Sequence, residues 1–315
     1  MLRLHVPLVL FNLAVQLPTI ASAQTTPKLK FENGTRFALK FEEGTRFRAE
    51  ETIQSELKLT SQVDGVPLKS EMKLASRTIG EHRYGKRDAN GNLLIEIRME
   101  LFQAEVSQPG GLNLKFDSAR PAETKTSPGL ESTLDNYRKA ARTVVTYKVR
   151  PDGKIVSVQV ADFDIQAKHE EVRETMQQLF DMLPDKPVRP GDKWQRREEH
   201  ELGEGHMLLF KRTYQYAGPV DEMAEAPGGR KLHKITATDS SVEYAMRPSG
   251  GIVVVKSDLQ VESSKHTCLF DFAAGRVVDE SHQVEVTGDV TLSANEARYK
   301  SHLNFRLASG WRELK

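Results

Sequence analysis

Histidine, cysteine and carboxylate side chains are the groups in this sequence that could hold a metal ion. Metal sites need such ligands at short, regular spacings. The nine histidines and the single cysteine are scattered over 315 residues, and no HExxH, CxxC or histidine-rich stretch occurs. The nearest histidine pair, His200 and His206, encloses two glycines that suit a hairpin turn. We therefore predict surface histidines, with neither a metal nor a cofactor.

Adjacent carboxylates form a second chemical pattern. A glycosidase uses two carboxylates that converge across a cleft. Neighbouring residues on a β-strand point to opposite faces, so adjacency does not bring two carboxylates together. We predict that four pairs are solvated surface charge: Glu42-Glu43, Glu50-Glu51, Glu170-Glu171 and Glu198-Glu199.

Nucleophilic catalysis has no local signature in the chain. There is no GxSxG, no phosphate-binding GxxxxGKS or GxxxxGKT, and no GxGxxG that opens a helix. Cys268 is the only cysteine, so no disulfide can form within the chain. It shares one face of a predicted strand with His266 and Phe270, which indicates a small buried residue. A reactive thiol or an intermolecular disulfide is the alternative, and we predict no catalytic residue.

The charge balance argues against partners that are recognised by simple electrostatics. The chain has 45 lysines and arginines against 44 aspartates and glutamates, and no basic run is long. Such a chain has no electrostatic reason to seek nucleic acid or an anionic membrane. We expect no nucleic-acid partner.

Residues 1–23 have the features of an export signal. Arg3 precedes an apolar run from Val6 to Leu17, and three small residues ending at Ala23 suit a signal peptidase. We predict cleavage between Ala23 and Gln24 and an extracytoplasmic protein, periplasmic or secreted. A membrane anchor is the alternative, but the run is shorter than the ~20 residues that span a bilayer. Later apolar runs are short, so no transmembrane segment is predicted in the mature chain.

Alternating apolar and charged residues predict the strands. Phe47, Ile53 and Leu57 lie in one phase, and the residues in the other phase are mostly charged or polar. A period of two with one charged face indicates a strand with one side on a core. In Leu93–Val106 the apolar phase changes near Leu101, which predicts a β-bulge or a sharp bend. Similar runs separated by glycine and proline turns predict roughly a dozen antiparallel strands.

Two segments have helical spacing, and a proline-rich stretch follows the second. Apolar residues recur at helical intervals over residues 130–141 and again over 168–183, where Val172, Met176 and Phe180 lie in one stripe. Three prolines in LPDKPVRPGDKW, residues 183–194, end the second helix. We predict two β-rich halves that form one compact unit, residues 24–185 with both helices and residues 186–315. The predicted fold is mainly β (α+β), a large bent antiparallel sheet or half-barrel.

A repeated phrase lies before the first long strand. Phe31–Phe37 reads FENGTRF, and Phe41–Phe47 reads FEEGTRF. Each has a glycine before its last aromatic residue, which predicts a strand–turn–strand unit.

Three phrases carry a resemblance to a known family. LPDKPVRPGDKW, the phrase FALKFEEGTRFRAE at residues 37–50 and the turn Ala274-Gly275-Arg276-Val277 resemble a family of exported bacterial proteins with a β-rich domain of unknown function. The resemblance covers about residues 35–310 and rests on turns and strands. It implies an extracytoplasmic β-rich domain and no catalytic residues.

Two classes of function fit this pattern, and a hydrolase without a local motif is a third. A binding module would resemble the half-barrels of periplasmic lipoprotein carriers and hold a lipid or another apolar ligand in a cavity of ~300–1,000 Å³. A structural or assembly protein of the cell envelope would bind a protein partner and be packed without such a cavity. The candidate cavity-lining residues are Phe47, Ile53, Leu57, Ile95, Met99, Val172, Met176 and Phe180.

Overall fold

The alternating pattern forms one large antiparallel sheet in the computed structural model of the chain. The structure describes residues 34–63, 66–151, 153–161, 182–203, 206–220, 232–246, 252–294 and 297–314. Its strands are β1 (Arg46–Val63), β2 (Val66–Arg87), β3 (Leu93–Gln108), β4 (Leu112–Asp117), β5 (Lys125–Thr126), β6 (Val144–Val149), β7 (Ile155–Val160), β8 (Lys193–Gly203), β9 (His206–Val220), β10 (Leu232–Met246), β11 (Ile252–Asp271), β12 (Arg276–Ala294) and β13 (Ala297–Leu314). The described helices are α1 (Glu131–Ala140) and the 3₁₀ turns Pro109–Gly111 and Pro121–Glu123.

The strand order joins both halves of the chain in one open sheet. Neighbouring strands follow the order β5-β4-β3-β2-β1-β13-β12-β11-β10-β9-β8, and β6, which is paired with β7, also pairs with β3. β1 pairs with β13 over nearly its whole length, from Arg48 opposite Leu314 to Ser61 opposite Ser301. The predicted fold class, a mainly β protein with a bent antiparallel sheet, is confirmed.

The predicted bulge near Leu101 is also present. Ile79 pairs with Leu101, whereas the next residue, Gly80, pairs with Met99. Glu100 is therefore an extra residue in β3. Because side chains alternate between faces, one extra residue lets apolar residues on both sides of it point to the same face.

The first predicted helix is confirmed as α1. Its Tyr137 is buried, and the ring centroid lies 5.1 Å from that of Phe102 and 6.1 Å from that of Phe116. The helix thus packs on β3 and β4. The second predicted helix lies outside the described residues except for its last two positions. Val172, Met176 and Phe180 also lie outside the described residues.

The sheet curls until its last strand lies over its middle. β8 and β13 are separated by four strands in the sheet order, which is ~24 Å along a flat sheet. The ring of His200 on β8 nevertheless lies 5.2 Å from the ring of Phe305 on β13. The concave side that results is called the inner face below.

Two apolar clusters fill the inner face, one toward each end of the strands. At the tip end, four hairpins turn: β1–β2, β8–β9, β10–β11 and β12–β13. The opposite end is the base end. The base cluster includes Phe47, Ile95, Tyr147, Tyr216, Phe270 and Trp311. The tip cluster includes Ile53, Leu208, Phe210, Val284, Leu303 and Phe305.

The described residues before β1 do not form the predicted strand–turn–strand unit. Between Gly34 and the start of β1 there is one isolated bridge, from Thr35 to Val188. Phe37, Leu39 and Phe41 are buried, because alternate side chains of this extended segment enter the base cluster. Burial of three large side chains stabilises the segment without a partner strand.

Backbone contacts hold this segment against the base end. The amide of Lys40 donates to the carbonyl of Gly275, 3.0 Å away, in the turn between β11 and β12. The Phe37 ring meets Tyr216 and Phe270 at centroid distances of 5.2 and 5.3 Å. The base end is therefore closed by the chain itself.

No helix in the described part of the chain is long and apolar enough to cross a membrane.

Candidate functional site

A belt of polar side chains crosses the inner face between the two apolar clusters. It runs over five consecutive strands, β8 to β12. Because burial of polar groups costs free energy unless they pair, the belt must satisfy itself internally. Its members are Glu198, Arg212, Tyr214, Asp239, Ser264, His266, Glu280 and His282.

Arg212 is the centre of the belt. Its Nε donates to Oδ1 of Asp239 at 2.8 Å, and its Nη2 donates to Oδ2 of the same carboxylate at 3.3 Å. Its Nη1 donates to Glu198, which also accepts from the hydroxyl of Tyr214. Burial opposes the charged form of Arg212, but the charges of Glu198 and Asp239 outweigh it and raise the pKa. This guanidinium is a permanent buried cation.

Asp239 is the matching buried anion. Burial alone would raise the pKa of Asp239, but the Arg212 guanidinium and the Ser264 hydroxyl outweigh burial and hold it below its usual value. The Ser264 hydroxyl donates to Oδ2 at 2.8 Å and accepts from the Asp239 amide at 2.9 Å. The carboxylate is thus paired on all sides.

Arg212 fixes the neutral form of His282. Nη2 of Arg212 lies 2.9 Å from Nε2 of His282. A guanidinium can only donate, so Nε2 accepts and the ring proton is on Nδ1. The same Nε2 lies 3.4 Å from Oδ2 of Asp239, and without a proton it donates no hydrogen bond to that carboxylate. Burial, assisted by the Arg212 charge, lowers the pKa of His282, which agrees with this form.

His266 and Glu280 form a second pair in the belt. Nε2 of His266 and Oε1 of Glu280 are 2.8 Å apart. Burial would raise the pKa of Glu280, but the hydrogen bond from His266 and the nearby Arg212 charge lower it. Nδ1 of His266 is buried and has no hydrogen-bond partner among the described residues.

His200 lies where β8 meets the middle of the sheet. The residue as a whole is half-buried, but its ring packs on Phe305 and faces the interior. Burial, with smaller contributions from His282 and Arg212, lowers the pKa of His200 to about 4.

A narrow apolar gap, here called the seam, separates β8 from β1–β3 and α1. Its enclosed volume is about 30 Å³, space for little more than one water molecule. The strand order places no backbone pairing between β8 and β1–β3 in the described part of the chain. The seam is lined by Ser55, Leu57, Met72, Leu74, Val106, Tyr137, His200, Glu201, Leu202 and Phe305.

The predicted cavity-lining residues are distributed among separate clusters. Phe47 and Ile95 are buried in the base cluster, and Ile53 is buried in the tip cluster. Met99 packs beside α1. Leu57 lines the seam. None of the other candidates that the structure describes does so.

The opposite, outer face has a wide, open trough with charged side chains along it. Its volume is about 1,000 Å³, and it crosses strands from β5 to β11. Its charged side chains pair across strands, for example Lys115 with Glu105 and Arg306 with Glu285. The charged residues that line it are Glu56, Lys73, Glu105, Lys115, Lys125, Glu285 and Arg306.

The prediction that adjacent carboxylates are solvated surface charge is wrong for Glu50 and Glu51. Both residues are buried. Glu50 accepts hydrogen bonds at 2.6 Å from both Arg77 and Arg312. These two guanidinium groups cover the carboxylate, and they lower its pKa although burial opposes this. Of the Glu198-Glu199 pair, Glu198 faces the belt. Glu42 and Glu43 are exposed as predicted, and Glu170-Glu171 lies outside the described residues.

Three histidines are likewise buried. His82, His266 and His282 are buried, which contradicts the prediction of surface histidines. The available signal was the strand phase: His266 shares one face of β11 with Cys268 and Phe270. In β9, Arg212 shares the apolar phase of Leu208, Phe210, Tyr214 and Tyr216. A charged residue in an apolar phase indicates a buried polar group.

In the described part of the chain, the arrangement of potential metal ligands and the exposure of the single thiol bear on metal and thiol chemistry. No group of three or more histidine, cysteine or acidic residues there is arranged to hold a metal ion. Cys268 is 1% exposed, so the prediction of a buried residue is confirmed. Burial raises the pKa of its thiol, which opposes the reactive thiolate.

Comparison with known proteins adds no functional assignment. No protein-family model and no curated protein matches the sequence. A structure of lipovitellin, described by its lipid–protein interactions, matches 88% of this chain at 10% identity and a TM-score of 0.44. The chain spans only 26% of that protein.

Two bacterial structures are more distant. An outer membrane channel from Pseudomonas putida F1 matches 90% of this chain over 100% of its own, at 9% identity and a TM-score of 0.22. OpdQ from Pseudomonas aeruginosa matches 86% over 98% of its own, at 8% identity and a TM-score of 0.23. TM-scores this low do not establish a shared fold, so no function is transferred from these proteins.

Proposed function

We propose that this chain is an exported, non-catalytic protein that binds a lipid or another apolar ligand in the seam between β8 and β1–β3. The signal over residues 1–23, cleaved between Ala23 and Gln24, would place it in the periplasm or outside the cell. The resemblance to an exported family with a β-rich domain of unknown function agrees with this placement.

The observation that carries the proposal is the composition of the seam. Leu57, Met72, Leu74 and Val106 line it from β1–β3, and Leu202 lines it from β8. Side-chain packing can separate at a lower cost than a ladder of strand hydrogen bonds, so β8 can move away from β1–β3. A closed volume of about 30 Å³ is too small for an acyl chain, so the ligand must widen the seam as it enters.

Half-buried apolar side chains pack against the tip cluster, and two of them, Leu57 and Leu202, also line the seam. A ligand that enters the seam would cover them as well, and burial of apolar surface contributes ~25 cal/mol per Å². These residues are Leu57, Leu59, Leu202, Met246, Val254, Leu259, Val261 and Leu292.

The state of the polar belt supports a non-catalytic role. Arg212, Asp239 and Glu198 are engaged with one another. A catalytic group must instead reach a substrate within hydrogen-bond distance. The belt acts in this proposal as a rigid polar layer below the seam.

Native mass spectrometry of the chain from Gln24, exported to a periplasm and purified without detergent, tests the proposal. We expect an added mass that organic solvent removes and that is identified as a lipid. Leu57→Trp should fill the seam and reduce the lipid-bound fraction several-fold. Leu94→Trp, at an exposed position of β3, is the matched control.

Lipid-free protein would contradict the proposal. Equal lipid content in Leu57→Trp and Leu94→Trp would place the ligand elsewhere. Because overpacking costs ~1–3 kcal/mol, urea unfolding of both variants should accompany the measurement. Leu202→Ser, which removes an apolar wall without overpacking, is the second seam variant.

The outer trough favours a second candidate, a structural or assembly protein of the envelope. Its volume of about 1,000 Å³ and its charged walls suit a protein partner more than an acyl chain. Lipid-free protein in a discrete complex with an envelope protein, lost on Arg306→Glu and retained in Leu57→Trp, would support this candidate over the first.

A further inference from the structure

Exposed large apolar side chains are concentrated at the tip end. Leu68 is 52% exposed, Val253 is 57% exposed and Val255 is 45% exposed. They lie just beyond the β1–β2 and β10–β11 turns. The other two exposed large apolar residues of the described chain, Leu94 and Val156, lie toward the base end.

Strand register places these side chains at similar heights but far apart. Leu68 pairs with Ser61, which is opposite Ser301 of β13. On the other side of β13, pairing through β12 places Val253 level with Arg298 of β13. Three residues correspond to ~10 Å along a strand, and the four spacings from β2 to β11 to ~19 Å across the sheet. The tip end thus has separate apolar points instead of one compact patch.

The apolar points lie on both faces of the sheet. Leu68 pairs with Ser61, which shares the inner phase of Leu57, so Leu68 continues the seam wall outward. Val253 is out of phase with Val254 of the tip cluster, so it points outward. A flat protein partner would cover only one face. A fluid medium into which the hairpins dip would cover both.

We propose that the tip end docks into the interfacial layer of a phospholipid bilayer. This rests on the proposed function and assigns the place where the ligand is exchanged: the seam opens toward the hairpins that enter the membrane. The ~10 Å range of heights equals the depth to which interfacial segments bury their apolar groups.

The charges beside these residues favour a zwitterionic bilayer. Lys69 and Arg298 are exposed next to the apolar points, where long cationic side chains can reach phosphate groups. Exposed acidic side chains lie on the same two strands, Glu71 on β2 and Asp258 on β11. The net field at the tip end is therefore small, and binding should depend little on salt.

Flotation with phosphatidylcholine vesicles tests the docking. The test variant combines Leu68→Gln, Val253→Thr and Val255→Thr, which keep side-chain size and introduce no charge. We expect a partition coefficient at least about tenfold lower than for the unchanged chain, the factor that ~1.4 kcal/mol represents. The control, Leu94→Gln with Val156→Thr, makes two substitutions of the same types at the base end and should bind normally.

Lipid content measured by native mass spectrometry separates this inference from the proposed function. A tip variant that keeps its co-purified lipid but no longer floats supports docking. An unchanged chain that floats through its tips but carries no lipid also supports docking and contradicts the proposed function. An unchanged chain that does not float, or equal losses in the tip and base variants, overturns the docking proposal.

Discussion

Nε of Arg212 donates to Oδ1 of Asp239 at 2.8 Å, and the Asp239 side chain is 0% exposed. The two residues belong to adjacent strands and form a buried ion pair at the centre of the polar belt. Removal of one partner leaves the other charge buried without compensation.

We therefore expect Arg212→Met to lower the free energy of unfolding by ~3–5 kcal/mol, measured by urea titration. The double variant Arg212→Met with Asp239→Leu should recover part of this loss. The control is Arg197→Met, whose pair with Glu243 spans 3.7 Å between side chains 67% and 72% exposed. Such exposed pairs contribute ~0–1 kcal/mol, so equal losses in the two single variants would contradict a buried pair.

Acid should destabilise the protein through its buried histidines. Burial lowers the pKa of His200 from 6.5 to about 4 and that of His82 from 6.5 to about 3. Between about pH 6.5 and 4.5 the unfolded chain takes up protons that the folded chain does not. The free energy of unfolding therefore decreases as the pH is lowered, by at most ~1.4 kcal/mol per pH unit for each such histidine.

His200→Gln should flatten this pH dependence in urea titrations, whereas His302→Gln, at an exposed position, should not. An unchanged slope in His200→Gln would mean that its ring stays solvated.

The buried carboxylates act at lower pH than the histidines. The folded-state pKa values of Asp239 and Glu280 lie below their ordinary values of 3.8 and 4.5. The stability that these carboxylates contribute is present above their ordinary pKa values and is lost as the pH falls further.

Cys268 should be unreactive in the folded protein. Its thiol is buried and its pKa is raised by burial, so a maleimide should label it only after urea unfolds the chain. Cys268→Ser should cost more stability than Cys268→Ala, because a buried hydroxyl without a partner costs ~1–3 kcal/mol. Equally fast labelling of folded and unfolded chains, or a disulfide-linked dimer on a non-reducing gel, would contradict this prediction.

Gly275 should be needed to hold the N-terminal segment against the base end. Its φ is +62°, and a Cβ atom would lie 2.5 Å from the backbone nitrogen of Lys40. Gly275→Ala thus adds a backbone clash to the ~1–2 kcal/mol of a left-handed conformation. Gly44→Ala, at φ +81° with no atom within 4 Å, carries the conformational cost alone.

Limited proteolysis reports the difference. Trypsin should cleave at Arg36 and Lys40 faster in Gly275→Ala than in Gly44→Ala at the same urea concentration. Equal cleavage rates would show that the contact with Gly275 does not hold the segment.

The local elements of the fold could be predicted because their signals lie within short stretches. Alternation from Phe47 to Leu57 marks β1, and the phase change near Leu101 marks the extra residue Glu100. Helical spacing marks α1. These patterns reflect the two-residue period of a strand and the 3.6-residue period of a helix, which need no knowledge of partners.

Pairing across the chain could not be predicted in the same way. Glu50 has the charged phase of β1, but Arg312, 262 residues away, covers it. The segment from Phe37 to Phe41 links the two copies of a strand-like phrase, but the base cluster binds it without strand pairing. Both outcomes depend on which surface the curled sheet brings near, and local alternation is the same in either case.

By itself, the sequence determined a mainly β chain with an antiparallel sheet, because alternation and turn residues act locally. It also placed Arg212 in an apolar phase, a sign of burial. Tertiary structure alone decided the partners: Asp239 is 27 residues away and His282 is 70 residues away. It also decided that β8 lies over the middle of the sheet. Both follow from curvature, which accumulates from small twists over many strands.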